Sequence, residues 1–224
     1  MKTTVTTRRS LKTIFLSLAT LLSLSVFAQE QQTAAEKTLT PKFGIKAGPS
    51  FTNLYIDDIN DERMKIGINA GFYAKIPISK GVSFQPELLY ANKGTRANYD
   101  NFILGSGEYR FNLHYLELPL LFSFNVAKNF NIHAGGYAAY LLGADIKDVN
   151  KDGTIQEITT LNADNFNRFD AGLVGGLGFD IQNVTIGARY NYGLVKIGES
   201  GSISGELAKN AKNSAIALYV GFAF

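Results

Sequence analysis

An all-β fold, an eight-stranded antiparallel up-and-down barrel with lipid against its outer face, is what this 224-residue sequence predicts. Three observations carry the prediction. From Lys42 onward, segments of roughly ten residues alternate large apolar side chains with small or polar ones, the period of a strand with one greasy face. The connections between segments alternate strictly between long and short, as in a barrel with short periplasmic turns and longer outer loops. The final segment, Ser214 to Phe224, points Ile216, Leu218, Val220, Phe222 and Phe224 one way and Ala215, Ala217, Tyr219, Gly221 and Ala223 the other. Such a face suits lipid, and barrel closure leaves no unpaired edge.

The chain begins with a segment expected to be a cleaved signal peptide over residues 1–28. Lys2, Arg8, Arg9 and Lys12 form a basic front, an apolar core follows, and Val26, Phe27 and Ala28 offer a cleavage site. Residues 29–41 are polar and aperiodic and read as a periplasmic tether. Residues 42–224 form the barrel.

Eight strands follow in order. In the first, Lys42 to Phe51, Phe43, Ile45 and Ala47 face out, with Gly44, Lys46 and Gly48 opposite. The second, Ile66 to Ile76, turns Ile66, Ile68 and Phe72 out and Asn69, Tyr73 and Lys75 in. The third, Val82 to Lys93, places Phe84, Leu88 and Tyr90 out and Gln85, Glu87 and Lys93 in. The fourth, Phe111 to Phe124, sets Leu116, Leu118, Leu120 and Phe122 out and Tyr115, Glu117 and Ser123 in. The fifth, Phe130 to Ala144, has Ile132, Tyr140 and Leu142 out. The sixth, Phe166 to Asp180, has Phe169, Leu173 and Leu177 out and Arg168, Asp170 and several glycines in. The seventh, Val184 to Leu194, has Ile186 and Tyr190 out and Thr185, Arg189 and Asn191 in; Ser214 to Phe224 closes the ring. Short turns are expected at residues 77–81, 125–129 and 181–183. Long polar loops are expected at 53–65, 94–110, 145–165 and 195–213, and both ends of the barrel lie on the periplasmic side. Pro86 and Pro119 fall inside strands, where each removes a ladder donor, and local bulges are expected there.

Composition narrows the function classes. The chain has 22 basic and 19 acidic residues, but four of the basic ones precede residue 29, leaving 18 against 19 and a net charge of −1. No basic footprint for nucleic acid remains. There is no cysteine, so stability comes from packing or membrane insertion. Beyond Ala28 no apolar run approaches about 20 residues, which excludes a helical membrane protein.

Phe43 to Gly48 (FGIKAG), Gln85 to Tyr90 (QPELLY), Tyr115 to Leu121 (YLELPLL), Ala188 to Tyr190 (ARY) and Gly221 to Phe224 (GFAF) resemble the PorT-like outer-membrane β-barrel family over residues 42–224. The resemblance implies the barrel and an outer-membrane location. It implies no activity, and the secretion role behind the family's name is marked by no residue here.

The clearest polar constellation is in the lumen. Lys46, Glu87, Glu117 and Arg189 face inward by parity, two cations and two anions expected to converge at similar depth as a salt-bridged plug or a narrow polar path. Asp148 to Gly153 matches the first half of a calcium loop, but position twelve is Thr159 rather than a bidentate Glu, so no metal is assigned. The two histidines are expected apart, His114 outward near the outer rim and His133 inward near the periplasmic rim, with Ser83 and Ser123 away from both in depth. That separation disfavours a lipid hydrolase. The glycines from Gly172 to Gly178 read as close strand packing rather than a phosphate loop.

The expected function is therefore a structural or surface-interaction barrel in the outer membrane of a Gram-negative bacterium, with a minor porin-like channel as a variant and no enzymatic activity or cofactor. The alternatives are a lipid-modifying enzyme or a secretion-associated component. The expected partners are the lipid bilayer, the barrel-assembly machinery through the strand ending at Phe224, and extracellular ligands at the long loops.

Overall fold

The structure, a computed structural model, describes residues 39–55, 63–101, 105–150, 153–161, 166–198 and 211–224. The expected signal peptide, most of the tether, and Lys151 and Asp152 of the half-matched calcium loop lie outside the described residues.

Nine strands are present among the described residues: β1 (Lys42–Tyr55), β2 (Arg63–Ser79), β3 (Val82–Asn101), β4 (Gly105–Ala127), β5 (Phe130–Asn150), β6 (Ile155–Leu161), β7 (Phe169–Ile181), β8 (Val184–Lys196) and β9 (Lys212–Ala223). Every pairing is antiparallel. Neighbours in sequence pair from β1 to β5, then β5 pairs with β7, β7 with β8, β8 with β9, and β9 returns to β1. Eight strands thus form a closed ring, and β6 is a ninth strand added to the outer part of β5. At the lower rim the Phe224 amide donates to the Phe43 carbonyl, tying the two ends of the barrel together.

Closure follows from the alternation. The residues predicted to face out do so: Phe72, Leu118 and Val220 are 64%, 44% and 55% exposed, while Glu87, Tyr115 and Arg189 on the opposite face are 2%, 0% and 4% exposed. In water such an exterior would aggregate; in hydrocarbon it is the stable arrangement, since closure pairs every backbone group. Aromatic rings mark both margins of the apolar band. Tyr90, Leu116, Tyr140 and Phe169 lie in register near the outer margin, and Phe84 packs on Phe122 and Phe130 on Phe179 near the inner one.

The lower connections are tighter than predicted. Only Lys80–Gly81, Lys128–Asn129 and Gln182–Asn183 lie between strands, with positive φ at Gly81 and Gln182. Inward glycines clear space for rings: a Cβ on Gly172 would meet the Tyr137 ring at 2.6 Å, and one on Gly187 would meet Tyr219 at 2.4 Å.

Two expectations need correction. Neither Pro86 nor Pro119 sits at a bulge. The register is unchanged from Gln85 paired with Leu121 to Leu89 paired with Glu117, and Pro119 pairs with Tyr137 in an unshifted β4–β5 ladder. The pairs missing at Pro119 are those of Glu87 and Leu88 with Pro119 and Leu118, and the pairs missing at Pro86 are those of Ala74 and Lys75 with Pro86 and Gln85, so each lost donor leaves a gap in one ladder without displacing the strands. The bulges fall elsewhere, at His114/Tyr115 and Asn125/Ala127 among other places. Secondly, residues 94–110 and 145–165 are not simply polar loops. β3, β4 and β5 run for 20, 23 and 21 residues against 12 for β9, and β6 pairs with β5 from Ala144 to Val149. The excess of eight to eleven residues, at about 3.4 Å each, carries a four-stranded sheet roughly 30 Å along the strands beyond the outer rim.

Candidate functional site

Among the described residues, two almost fully buried ion-pair clusters fill the middle of the lumen, one above the other, and a partly exposed Lys75–Asp180 pair at 2.7 Å lies below them near the periplasmic end. The lower cluster is built on Glu87 of β3. Arg189 of β8 donates to both its carboxylate oxygens, at 2.8 and 2.9 Å, and Lys46 of β1 donates to the same two at 3.1 and 3.2 Å. Gln85 adds a fifth bond at 2.7 Å. Tyr219 of β9 lies under both cations, 3.7 Å from Lys46 Nζ and 4.9 Å from the Arg189 guanidinium carbon. One carboxylate therefore faces two cations, and a hydrogen-bonded bidentate pair holds it across the barrel from β3 to β8.

The upper cluster is built on Lys93 of β3. Its Nζ lies 2.6 Å from Glu117 Oε2 and 3.6 Å from Asp170 Oδ2, and sits 4.2 Å from the Tyr137 ring centre. The Lys93–Glu117 contact is an ion pair rather than an aligned hydrogen bond. Asn191 donates to Glu117 at 2.9 Å; Tyr137 and Asn213 donate to Asp170 at 3.0 and 2.7 Å. Six strands contribute, so this layer too spans the lumen. Between the layers a cavity of about 20 Å³, lined by Ser50, Asn69, Glu117, Arg189 and Asn191 among others, has room for a single water.

Of the four residues singled out from the sequence, Lys46, Glu87 and Arg189 meet directly, and Glu117 does not join them. The pairing of Leu89 with Glu117 places Glu117 two residues further from the periplasmic end than Glu87, within reach of Lys93 instead. Lys93 and Asp170 were legible as inward by parity. What their inclusion adds is balance: Lys46, Arg189 and Lys93 against Glu87, Glu117 and Asp170, three charges of each sign. The split makes a prediction about coupling. A double-mutant cycle between Glu117→Gln and Lys93→Met should give an interaction energy of about 1–3 kcal/mol, and one between Glu117→Gln and Arg189→Met a clearly smaller value. Equal couplings in the two cycles would return all six charges to one undivided network.

The separation of serine from histidine needs correction. Ser123 and His133 are register partners on β4 and β5, both facing inward and 1% exposed. His133 Nδ1 lies 3.3 Å from Asn131 Oδ1. Serine, histidine and asparagine thus stand together, but the imidazole is turned the wrong way for a nucleophilic relay. Its Nε2 aims at β7, where a Cβ on Gly176 would meet it at 2.5 Å, and neither Nε2 nor Ser123 Oγ has a hydrogen-bond partner. The relay needs that bond. His114 is on the opposite, outward face, between Asp145 Oδ1 and the Tyr90 hydroxyl, each 2.6 Å away. Among the described residues no group of three or more His, Cys, Asp or Glu side chains is placed to hold a metal ion.

Solved structures to which this chain is similar include Ail of Yersinia pestis in complex with the heparin analogue sucrose octasulfate, 16% identical with a TM-score of 0.47, covering 82% of this chain and 99% of that one. Neisserial surface protein A is 14% identical with a TM-score of 0.47, covering 81% and 97%. OprG of Pseudomonas aeruginosa is 12% identical with a TM-score of 0.41, covering 83% and 96%. No curated protein sequence matches. The profile described as "Outer membrane protein beta-barrel domain" matches residues 27–198, more than half of the chain. With the closed ring and the lipid-facing apolar band, that match places the protein in the outer membrane of a Gram-negative bacterium, as a member of the outer-membrane β-barrel domain family.

Proposed function

We propose that this protein is a non-enzymatic surface-interaction barrel: a closed pedestal in the membrane that carries the sheet of β3, β4, β5 and β6 outside the cell. The observation that carries the reading is the conjunction of a lumen filled by two ion-pair layers with a tall, one-sided extension of the outer strands. A pore needs the first to be open and has no use for the second. The β5–β6 hairpin adds a partner-facing element: β6 pairs with β5 alone among the described residues, and Ile155 and Ile158 are about half exposed. A free strand edge with exposed aliphatic side chains is suited to an extended peptide segment. The finer grouping with PorT-like barrels belongs to the same reading, supported by Glu87 and Glu117, which fall within the QPELLY and YLELPLL motifs and both face the lumen. Insertion through the assembly machinery is supported by the outward Phe222 and Phe224 of the closing strand.

The absence of cysteine permits a direct test. Glu157→Cys on β6 and Lys128→Cys in the β4–β5 turn should both yield folded barrels. On intact cells a membrane-impermeant maleimide should label Cys at 157 and not at 128. Labelling at 128 alone would invert the topology and remove the surface role. A narrow-channel reading has one observation behind it, the water-sized cavity between the layers, and conductance separates it from the closed pedestal.

A further inference from the structure

The outward face of the extended sheet carries a second polar site that the lumen does not explain. Cross-strand register places Arg63 opposite Arg96, Arg96 opposite Arg110, and Arg110 opposite Lys147. Four cationic residues thus occupy matched register positions across β2, β3, β4 and β5, with strands about 4.8 Å apart. Like charges directly opposite one another destabilise a sheet. Among the described residues little offsets them. Glu108 is shared, 3.0 Å from Arg96 Nη1 and 2.5 Å from Arg110 Nε. Burial works against the Glu108 charge, but Arg110 and then Arg96 outweigh it and hold the carboxyl below its usual range. Asp145, a second acid on this face, is engaged by His114 and by Asn112 at 2.7 Å. The Arg96 Nε is shielded from solvent and has no partner. Among the described residues, one carboxylate shared between two guanidinium groups leaves the row with an excess of positive charge and room for an external anion.

The position of the row argues for what that anion is. Directly beneath it, on the same lipid-facing wall, lie Tyr90, Asn92, His114, Asn112 and Asp145, joined by hydrogen bonds. Below these begins the apolar band with Leu116. Elsewhere around the outer margin the wall is more apolar, with Ile66 at 70% and Leu194 at 51% exposure, broken on β8 and β9 by the Tyr190–Ser214 hydrogen bond and by Lys196 opposite Lys212. The strip that combines asparagines, histidine and aspartate lies on the β3–β5 side. Arg110 stands six residues beyond Leu116, which at about 3.4 Å per residue and a tilt of about 40° is roughly 15 Å above the band. Long cationic side chains reach back toward the interface from there. Acyl chains do not extend to that height, but the sugars of an outer-leaflet glycolipid do. Guanidinium forks match phosphate oxygens in pairs.

We propose that the outward face of β3, β4 and β5 binds the phosphorylated headgroup sugars of an outer-leaflet glycolipid, with Arg96, Arg110 and Lys147 on the phosphates, the Tyr90–His114–Asp145 strip on the sugar hydroxyls, and the acyl chains on the apolar wall below. A soluble polyanion would have no need of the lower strip or of continuity with the lipid-contact surface.

The test uses the full-length protein in nanodiscs containing lipopolysaccharide, either intact or phosphatase-treated, with bound glycolipid counted by native mass spectrometry. Wild type should retain intact glycolipid and lose most of it when the phosphates are removed. Arg110→Gln with Lys147→Gln should weaken retention by about fivefold for each cation removed. Lys212→Gln, on β9, should have no effect. If the double variant fails to fold, as judged by heat-modifiable gel mobility, Arg96→Gln and the phosphatase arm on wild type decide. Equal retention of intact and phosphatase-treated glycolipid by wild type overturns the proposal. So does a folded double variant that retains the glycolipid as wild type does. Binding of a soluble sulfated oligosaccharide to wild type, with no dependence of lipid retention on the row, would reassign the cations to a soluble polyanion.

Discussion

Glu87→Gln should be the most damaging single substitution in the lumen, lowering the unfolding free energy by about 3–5 kcal/mol. Glu87 is the one carboxylate in contact with both Lys46 and Arg189, and all three side chains are almost fully buried. The amide keeps the shape but removes the charge, leaving two cations facing each other in a medium where an isolated charge is costly. The penalty comes from those orphaned cations, not from the value of a salt bridge as such. Replacing the whole group, with Glu87→Leu, Lys46→Met and Arg189→Met together, should therefore recover most of the loss, since apolar substitutes for a complete buried ionic cluster are often neutral or better. Urea unfolding in bilayers, followed by gel mobility, measures both. A Glu87→Gln barrel within about 1 kcal/mol of wild type would mean that water reaches this layer freely.

Leu120→Arg should cost about 2–4 kcal/mol, and Phe169→Arg only about 0–1 kcal/mol. The outward run on β4 extends from Leu116 to Val126 and is apolar throughout, so Leu120 lies near its centre. Phe169 opens β7 at the outer margin, packed edge-on against Tyr140, where an arginine reaches headgroups. The two positions are both exposed and both face lipid; only depth separates them. Equal costs at the two sites would contradict the placement of the apolar band.

How much of this was legible in the sequence follows from where the signal was written. Parity was legible because one face meets hydrocarbon and the other a filled lumen, so Phe72, Leu118 and Val220 on one side and Lys46, Glu87 and Arg189 on the other alternate without interruption. The strand extensions were not legible for the same reason. Above the rim lipid no longer sets one face apart, and apolar packing is local, with Phe111 against Phe166 and Val149 1% exposed, so among the described residues of 94–110 and 145–161 the period of two fades while the hydrogen-bonded ladder continues. The grouping of the lumen charges depended on stagger between strands. Residue counting along single strands put Glu117 level with Glu87, but the register sets it two residues higher, beside Lys93. Ser123 and His133 are a different case. Both lie within a few residues of the Lys128–Asn129 turn, but the one-residue bulge at Asn125/Ala127 shifts the register, so counting outward from the turn pairs His133 with Phe124 and misses Ser123. The cation row across β2 to β5 was beyond reach, because its four members fall in segments that carry no periodic signal.

The central claim is that two ion-pair layers close the lumen of a lipid-embedded barrel, and single-molecule conductance in planar bilayers tests it most directly. Wild type should show no resolvable steps. Glu87→Gln combined with Glu117→Gln removes one anchor from each layer, frees Lys46, Arg189 and Lys93 to swing, and should produce small, anion-preferring openings. Steady conductance in the wild-type barrel, unchanged in the double variant, would contradict the account.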